Sequence, residues 1–99
     1  LTKMETLYLG DNQITSVEPL RKLTNLKRLL LGDNKIQSVE ALADLVLAQD
    51  LHLYNNEITS VDSLYRLANL KTLMLAGNPL TSQTCPVASP DPSSPVCHF

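Results

Sequence analysis

Few side chains in this 99-residue chain could do chemistry. His52 has no second His or Cys near it at ligand spacing, so a zinc site is not expected. Asp11, Asp33 and Asn55 are spaced by 22 residues and could in principle surround a hard cation. At a strand-to-turn corner, however, these residue types serve turn hydrogen bonding first. Glu18, Glu40 and Asp62 form an acidic series best read as a solvated face. No hydroxyl or thiol has a base beside it, no carboxylate pair sits isolated among apolar residues, and no Gly-rich phosphate loop occurs. The expectation is a protein that is not an enzyme and takes no cofactor and no metal.

Composition narrows the partners. Eight basic against ten acidic residues give a net charge of −2, which offers no electrostatic footprint for nucleic acid. Uninterrupted apolar stretches reach four residues, as in Leu45 to Ala48, against roughly 20 needed to cross a bilayer, so no membrane insertion is expected. The chain opens on Leu1 with no signal-like leader, which reads as the C-terminal piece of something longer. Aromatic residues are only 4% of the chain. The core must therefore be aliphatic.

The elements that would position any site follow from a 22-residue repeat. Leu7, Leu29, Leu51 and Leu73 keep that step, as do Leu9, Leu31, Leu53 and Leu75, and Asn12, Asn34, Asn56 and Asn78. Further columns are Leu1, Leu23, Leu45, Leu67; Met4, Leu26, Ala48, Leu70; Ile14, Ile36, Ile58, Leu80; Val17, Val39, Val61; and Leu20, Leu42, Leu64. Within Thr6 to Gly10 the two-residue alternation of a strand points Leu7 and Leu9 inward and Thr6, Tyr8 and Gly10 outward. The Asn that follows can bond backbone groups that would otherwise be buried unpaired, making a structural Asn ladder. Ile14, Val17 and Leu20 return at intervals of three, which suits a 3₁₀-like segment on the opposite side, and Pro19 fits there.

These columns resemble the leucine-rich repeat family, and within it the 22-residue class typified by bacterial internalins and by a regulatory subunit of protein phosphatase 1. The resemblance covers residues 1–82, about three and a half units. It implies an α/β solenoid, a right-handed horseshoe segment with a short parallel β-sheet on the concave face and a 3₁₀ or irregular convex side. It also implies a protein-protein interaction module acting through that concave face.

The outward columns of the sheet are then Thr6, Arg28, Asp50, Thr72; Tyr8, Leu30, His52, Met74; and Gly10, Gly32, Tyr54, Ala76, and from them the candidate partner-binding residues are Tyr8, Arg28, Leu30, Asp50, His52, Tyr54, Thr72 and Met74. The middle column is mostly apolar although it faces solvent, and Tyr, Met and Arg are types that interfaces favour. Arg28 beside Asp50 could form a cross-strand pair, and Tyr54 is expected to stand proud of small neighbours. Leu30 and Met74 could equally be strand formers on a tolerant surface.

One unit departs from the others. Ala48 stands where its counterparts are Met4, Leu26 and Leu70, which would leave a gap unless Leu47 shifts in to fill it; the other reading makes Leu47 an exposed apolar knob. Val46 and Leu47 replace Thr2, Thr24, Ala68 and Lys3, Asn25, Asn69.

The repeat stops after Ser82, and residues 83–99 form a Pro-rich tail expected to make neither helix nor central strand. Its Cys85 and Cys97 are the only cysteines. A disulfide between them would fold the tail back so that Val87, Val96 and Phe99 cap the last unit, an arrangement that resembles the disulfide-tied caps of extracellular leucine-rich repeat proteins and implies an extracytoplasmic or secreted protein. Two free thiols in a cytoplasmic chain are the alternative. At the other end Leu1, Met4, Leu7, Leu9 and Ile14 present an uncapped apolar face, where further repeats or another chain would associate. Two other readings remain open: a structural end-stack of a longer array or multi-protein assembly, and the targeting arm of a larger enzyme.

Overall fold

A computed structural model describes residues 3–89, 91 and 93–99. Four three-residue strands recur at the 22-residue step: β1 (Thr6–Tyr8), β2 (Arg28–Leu30), β3 (Asp50–His52) and β4 (Thr72–Met74). They lie side by side in sequence order as a parallel sheet, with Leu7 opposite Leu29, Leu29 opposite Leu51 and Leu51 opposite Leu73. The repeat therefore fixes the register, because a one-residue slip would turn every leucine to solvent.

Between strands the chain returns through short 3₁₀ turns: η1 (Glu18–Leu20), η2 (Glu40–Leu42) and η3 (Asp62–Arg66). The sequence starts each turn the same way. Ser16, Ser38 and Ser60 Oγ accept the backbone N–H of Glu18, Glu40 and Asp62 at 3.2–3.3 Å, satisfying a donor at the turn's open N-terminus. Pro19 falls in the first turn of η1, where a missing N–H costs nothing.

The interior between sheet and turns is a column of aliphatic side chains, including Leu26, Leu29, Leu31, Ile36, Leu42, Leu45, Leu51, Leu53, Ile58, Leu64, Leu67 and Leu73, all fully buried. At the first unit Met4, Leu7, Leu9 and Ile14 are only partly buried against this core. The apolar end expected there is present, except that Leu1, like Thr2, lies outside the described residues.

The other end is closed. Cys85 and Cys97 are joined by a disulfide, and Val96 is buried with Val87 packed against the core. The tail also adds something the proline content argued against: a two-residue strand, β5 (Cys97–His98), at the sheet's edge beside β4. Leu73 and Leu75 donate their N–H groups to the carbonyls of Val96 and His98 at 2.8 and 2.7 Å. Proline is excluded from central strands because it cannot donate to a ladder, but Val96 and His98 serve here as acceptors.

Two expectations about packing are corrected. Phe99 does not cap the last unit; it is 41% exposed, because His98 leads the chain out along the sheet edge. Leu47 does not fill the gap beside Ala48 either. Ala48 keeps its column, 2% exposed, and its N–H bonds Leu45 O at 3.0 Å as Leu26 bonds Leu23 and Leu70 bonds Leu67. With the backbone pinned this way there is no shift, and Leu47 points outward, 39% exposed, beside exposed Val46.

Candidate binding face

The strand alternation that buries Leu29, Leu51 and Leu73 and turns Leu7 toward the core points two rows of side chains outward. The first row is Thr6, Arg28, Asp50 and Thr72, in direct register across β1 to β4. Arg28 Nε lies 3.3 Å from Asp50 Oδ2, so the expected cross-strand pair forms. Both side chains are substantially exposed, and such a pair contributes at most about 1 kcal/mol.

The second row is Tyr8, Leu30, His52 and Met74, and β5 lengthens it, because His98 pairs directly with Met74. Tyr8 is 62% exposed; Leu30, His52 and Met74 are half-buried by one another and by the flanking rows. The sequence periodicity could not supply His98: the step from Leu73 to its partner Cys97 is 24 residues, not 22. The remaining signal was the short Val96–His98 stretch between Pro95 and the chain's end.

Gly10, Gly32, Tyr54 and Ala76 follow the second row. Tyr54 does not stand proud here. Its ring lies across Gly32: a Cβ at Gly32 would come within 2.2 Å of Tyr54 Cζ. Laying the ring on the glycine backbone covers apolar area that an upright ring would expose to water. The same ring faces His52, with centroids 6.2 Å apart at 55°.

The rows stay in place because the corner after each strand is built identically. Asp11, Asp33 and Asn55 adopt left-handed backbone conformations with φ of 57°, 59° and 54°, and Gly77 takes the same position with φ 79°. Asx residues tolerate this region better than other non-glycine types. Asn55 Nδ2 donates to Asp33 Oδ1 at 2.9 Å. This column thus does turn chemistry.

Next to it the Asn ladder ties each unit to the one before. Asn56 Nδ2 donates to Leu31 O in the previous unit and to Leu53 O and Tyr54 O in its own, while its Oδ1 accepts the N–H of Ile36. Asn34 does the same with Leu9 O, Leu31 O, Gly32 O and the N–H of Ile14, and Asn78 repeats the pattern with Leu53 O, Leu75 O and the N–H of Ile58. Among the described residues Asn12 bonds Leu9 O and Gly10 O, both of its own unit. The ladder lies beneath the candidate face and positions it.

The acidic series is on the far side. Glu18 pairs with Arg21 through two 2.9 Å contacts, and that hydrogen-bonded guanidinium holds the Glu18 carboxyl below its usual range. Among the described residues no three His, Cys, Asp or Glu side chains gather closely enough to hold a metal ion, and no helix is long and apolar enough to cross a membrane.

Comparison with known proteins agrees with this architecture. The family profile for Leucine Rich repeats (2 copies) matches residues 2–44 and 49–87. Among solved structures, internalin C2 from Listeria monocytogenes is similar over 84% of this chain at 34% identity and a TM-score of 0.81. A second internalin from that organism is similar over 82% at 28% identity and a TM-score of 0.67. A leucine-rich repeat protein from Leptospira interrogans is similar over 79% at 32% identity and a TM-score of 0.72. The chain spans 37%, 31% and 21% of these three proteins respectively. No curated protein sequence matches it. The in-register leucines, the Asn ladder between units and the profile match over most of the sequence place this chain in the leucine-rich repeat family.

Proposed function

We propose that this chain is a protein-protein interaction module that binds a protein ligand on its concave sheet face, and that it performs no catalysis of its own. The observation that carries this reading is the second outward row. Tyr8, Leu30, His52 and Met74 run unbroken across four strands and remain accessible, although the leucines on either side of them in sequence are buried in the core or packed against it. A continuous apolar and aromatic row bordered by polar groups is the composition that recognition surfaces use. Arg28, Asp50 and Thr72 border it with polar groups, and Tyr54 presents a ring already fixed against Gly32, so little side-chain freedom is lost when a ligand covers it.

In this reading residues 1–82 supply the stack and residues 83–99 the cap. The cap's disulfide supports an extracytoplasmic location, since such bonds persist in oxidising compartments.

The test replaces Tyr8, His52, Tyr54 and Met74 together with alanine and compares cross-linking to proteins of the source cell, using a photoreactive residue at position 30 and, as a control, at position 57. Recognition predicts partner adducts from position 30 alone, lost in the four-alanine variant while thermal stability is retained. Adducts that persist in that variant, or that form equally from position 57, refute it.

A further inference from the structure

Three side chains with soft or borderline donor atoms occupy consecutive places in the second row. His52 pairs directly with Met74, and Met74 with His98. All three are outward-facing, because Leu51, Leu73 and Cys97 beside them are buried. Adjacent strands are about 4.8 Å apart, which places the two histidines about 9.6 Å from each other at Cα with the methionine midway. An ion above the Met74 sulfur, with metal–nitrogen bonds of about 2.0 Å, is within reach of an imidazole leaning in from each side. The sheet is concave on this face, which brings outward side-chain tips on neighbouring strands closer than their Cα atoms.

We propose that His52, Met74 and His98 form a metal site for a soft monovalent ion of the copper(I) class. The donor set decides the metal. A thioether with two imidazoles and no carboxylate favours soft ions over magnesium or calcium, and over zinc, which is more often held by thiolate, imidazole and carboxylate. The nearest carboxylate in the adjoining row, Asp50, is paired with Arg28. Neither cysteine competes, since both are in the disulfide. His98 arrives on the cap strand, so an ion here joins the cap to the stack across the β4–β5 boundary. The proposal stands independently of whether the concave face binds a protein.

The experiment uses the untagged, oxidised full chain titrated with silver(I), a redox-inert stand-in for copper(I), and separately with zinc(II). It is followed by native mass spectrometry and by NMR of the methionine methyl and imidazole signals. The expected result is one silver ion per chain, with the Met74 methyl and both imidazoles shifted and the Met4 methyl unmoved. His98→Ala and Met74→Leu should each weaken binding about tenfold or more, while Met4→Leu leaves it unchanged. Because all three ligands lie on the surface, these variants keep the fold, which circular dichroism checks. Binding unaltered by His98→Ala, tighter binding of zinc(II) than of silver(I), or no uptake at micromolar silver overturns the proposal.

Discussion

The Tyr54 ring rests on the backbone of Gly32, one strand away, so closely that a methyl group on that glycine would fall 2.2 Å from Cζ. Two residues 22 apart thus share one place on the concave surface, and the smaller exists to admit the larger. The contact predicts an upfield ring-current shift of the Gly32 α-protons. Gly32→Ala should abolish the contact by rotating the ring away, at a stability cost below about 1 kcal/mol, because the colliding atoms are the far end of a side chain that can move. An unshifted Gly32 signal in the wild-type chain would contradict this arrangement.

The ladder asparagines should not be equivalent. Asn56→Ala leaves the Ile36 N–H without its partner in a buried setting, at about 1–3 kcal/mol, and takes one of two amide donors from the Leu31 and Leu53 carbonyls, which keep Asn34 and Asn78. Asn12→Ala removes only bonds within its own exposed unit and should cost about 1 kcal/mol or less. Urea denaturation of both variants checks the order, and equal losses would show that the bonds between units contribute nothing extra.

Replacing Cys85 and Cys97 by serine removes the closure of the tail loop, worth about 3 kcal/mol on the chain-entropy estimate. Amide exchange should then quicken selectively at Leu73 and Leu75, whose acceptors are the Val96 and His98 carbonyls. Protection retained at both amides would mean that β5 holds without the bridge.

Leu47→Asn, which restores the residue of the neighbouring units, should change stability by no more than about 0.5 kcal/mol, since this leucine points to solvent. A loss of several kcal/mol, measured by the same denaturation, would return Leu47 to the core.

Glu18 should titrate below an ordinary glutamate because of its hydrogen-bonded contact with Arg21. A carboxyl whose folded value is lowered contributes stability that is present above its unfolded value and is lost as pH falls through the folded one, so the pair weakens only in acid. In Arg21→Gln the Glu18 midpoint, followed by NMR, should rise toward the ordinary value; an unmoved midpoint would rule out Arg21 as the cause.

Periodicity made the sheet, its register and the ladder legible, because in a solenoid the same side chain has the same surroundings in every unit. Leu29, Leu51 and Leu73 could be placed beside one another from spacing alone. What escaped was whatever depends on contrast between units. Tyr54 follows Gly32 in one column, and the column does not say whether the ring stands upright or lies down on its smaller neighbour. Leu47 looked like a substitute for the missing bulk of Ala48, but the hydrogen bond from Ala48 to Leu45 holds the backbone in step. His98 lay beyond the reach of periodicity, since the tail takes two extra residues to come back to the sheet.

The Asn ladder gives the stack a direction. Each amide reaches back to the unit before it, so cutting the array on the C-terminal side of a unit takes the amide oxygen from a main-chain N–H such as that of Ile36, whereas cutting on the N-terminal side leaves the amide half-used and takes partners from main-chain groups such as the Lys35 N–H and the Gly32 carbonyl. Wounds at the two ends therefore differ in kind, and a covalent clasp closes the C-terminal one.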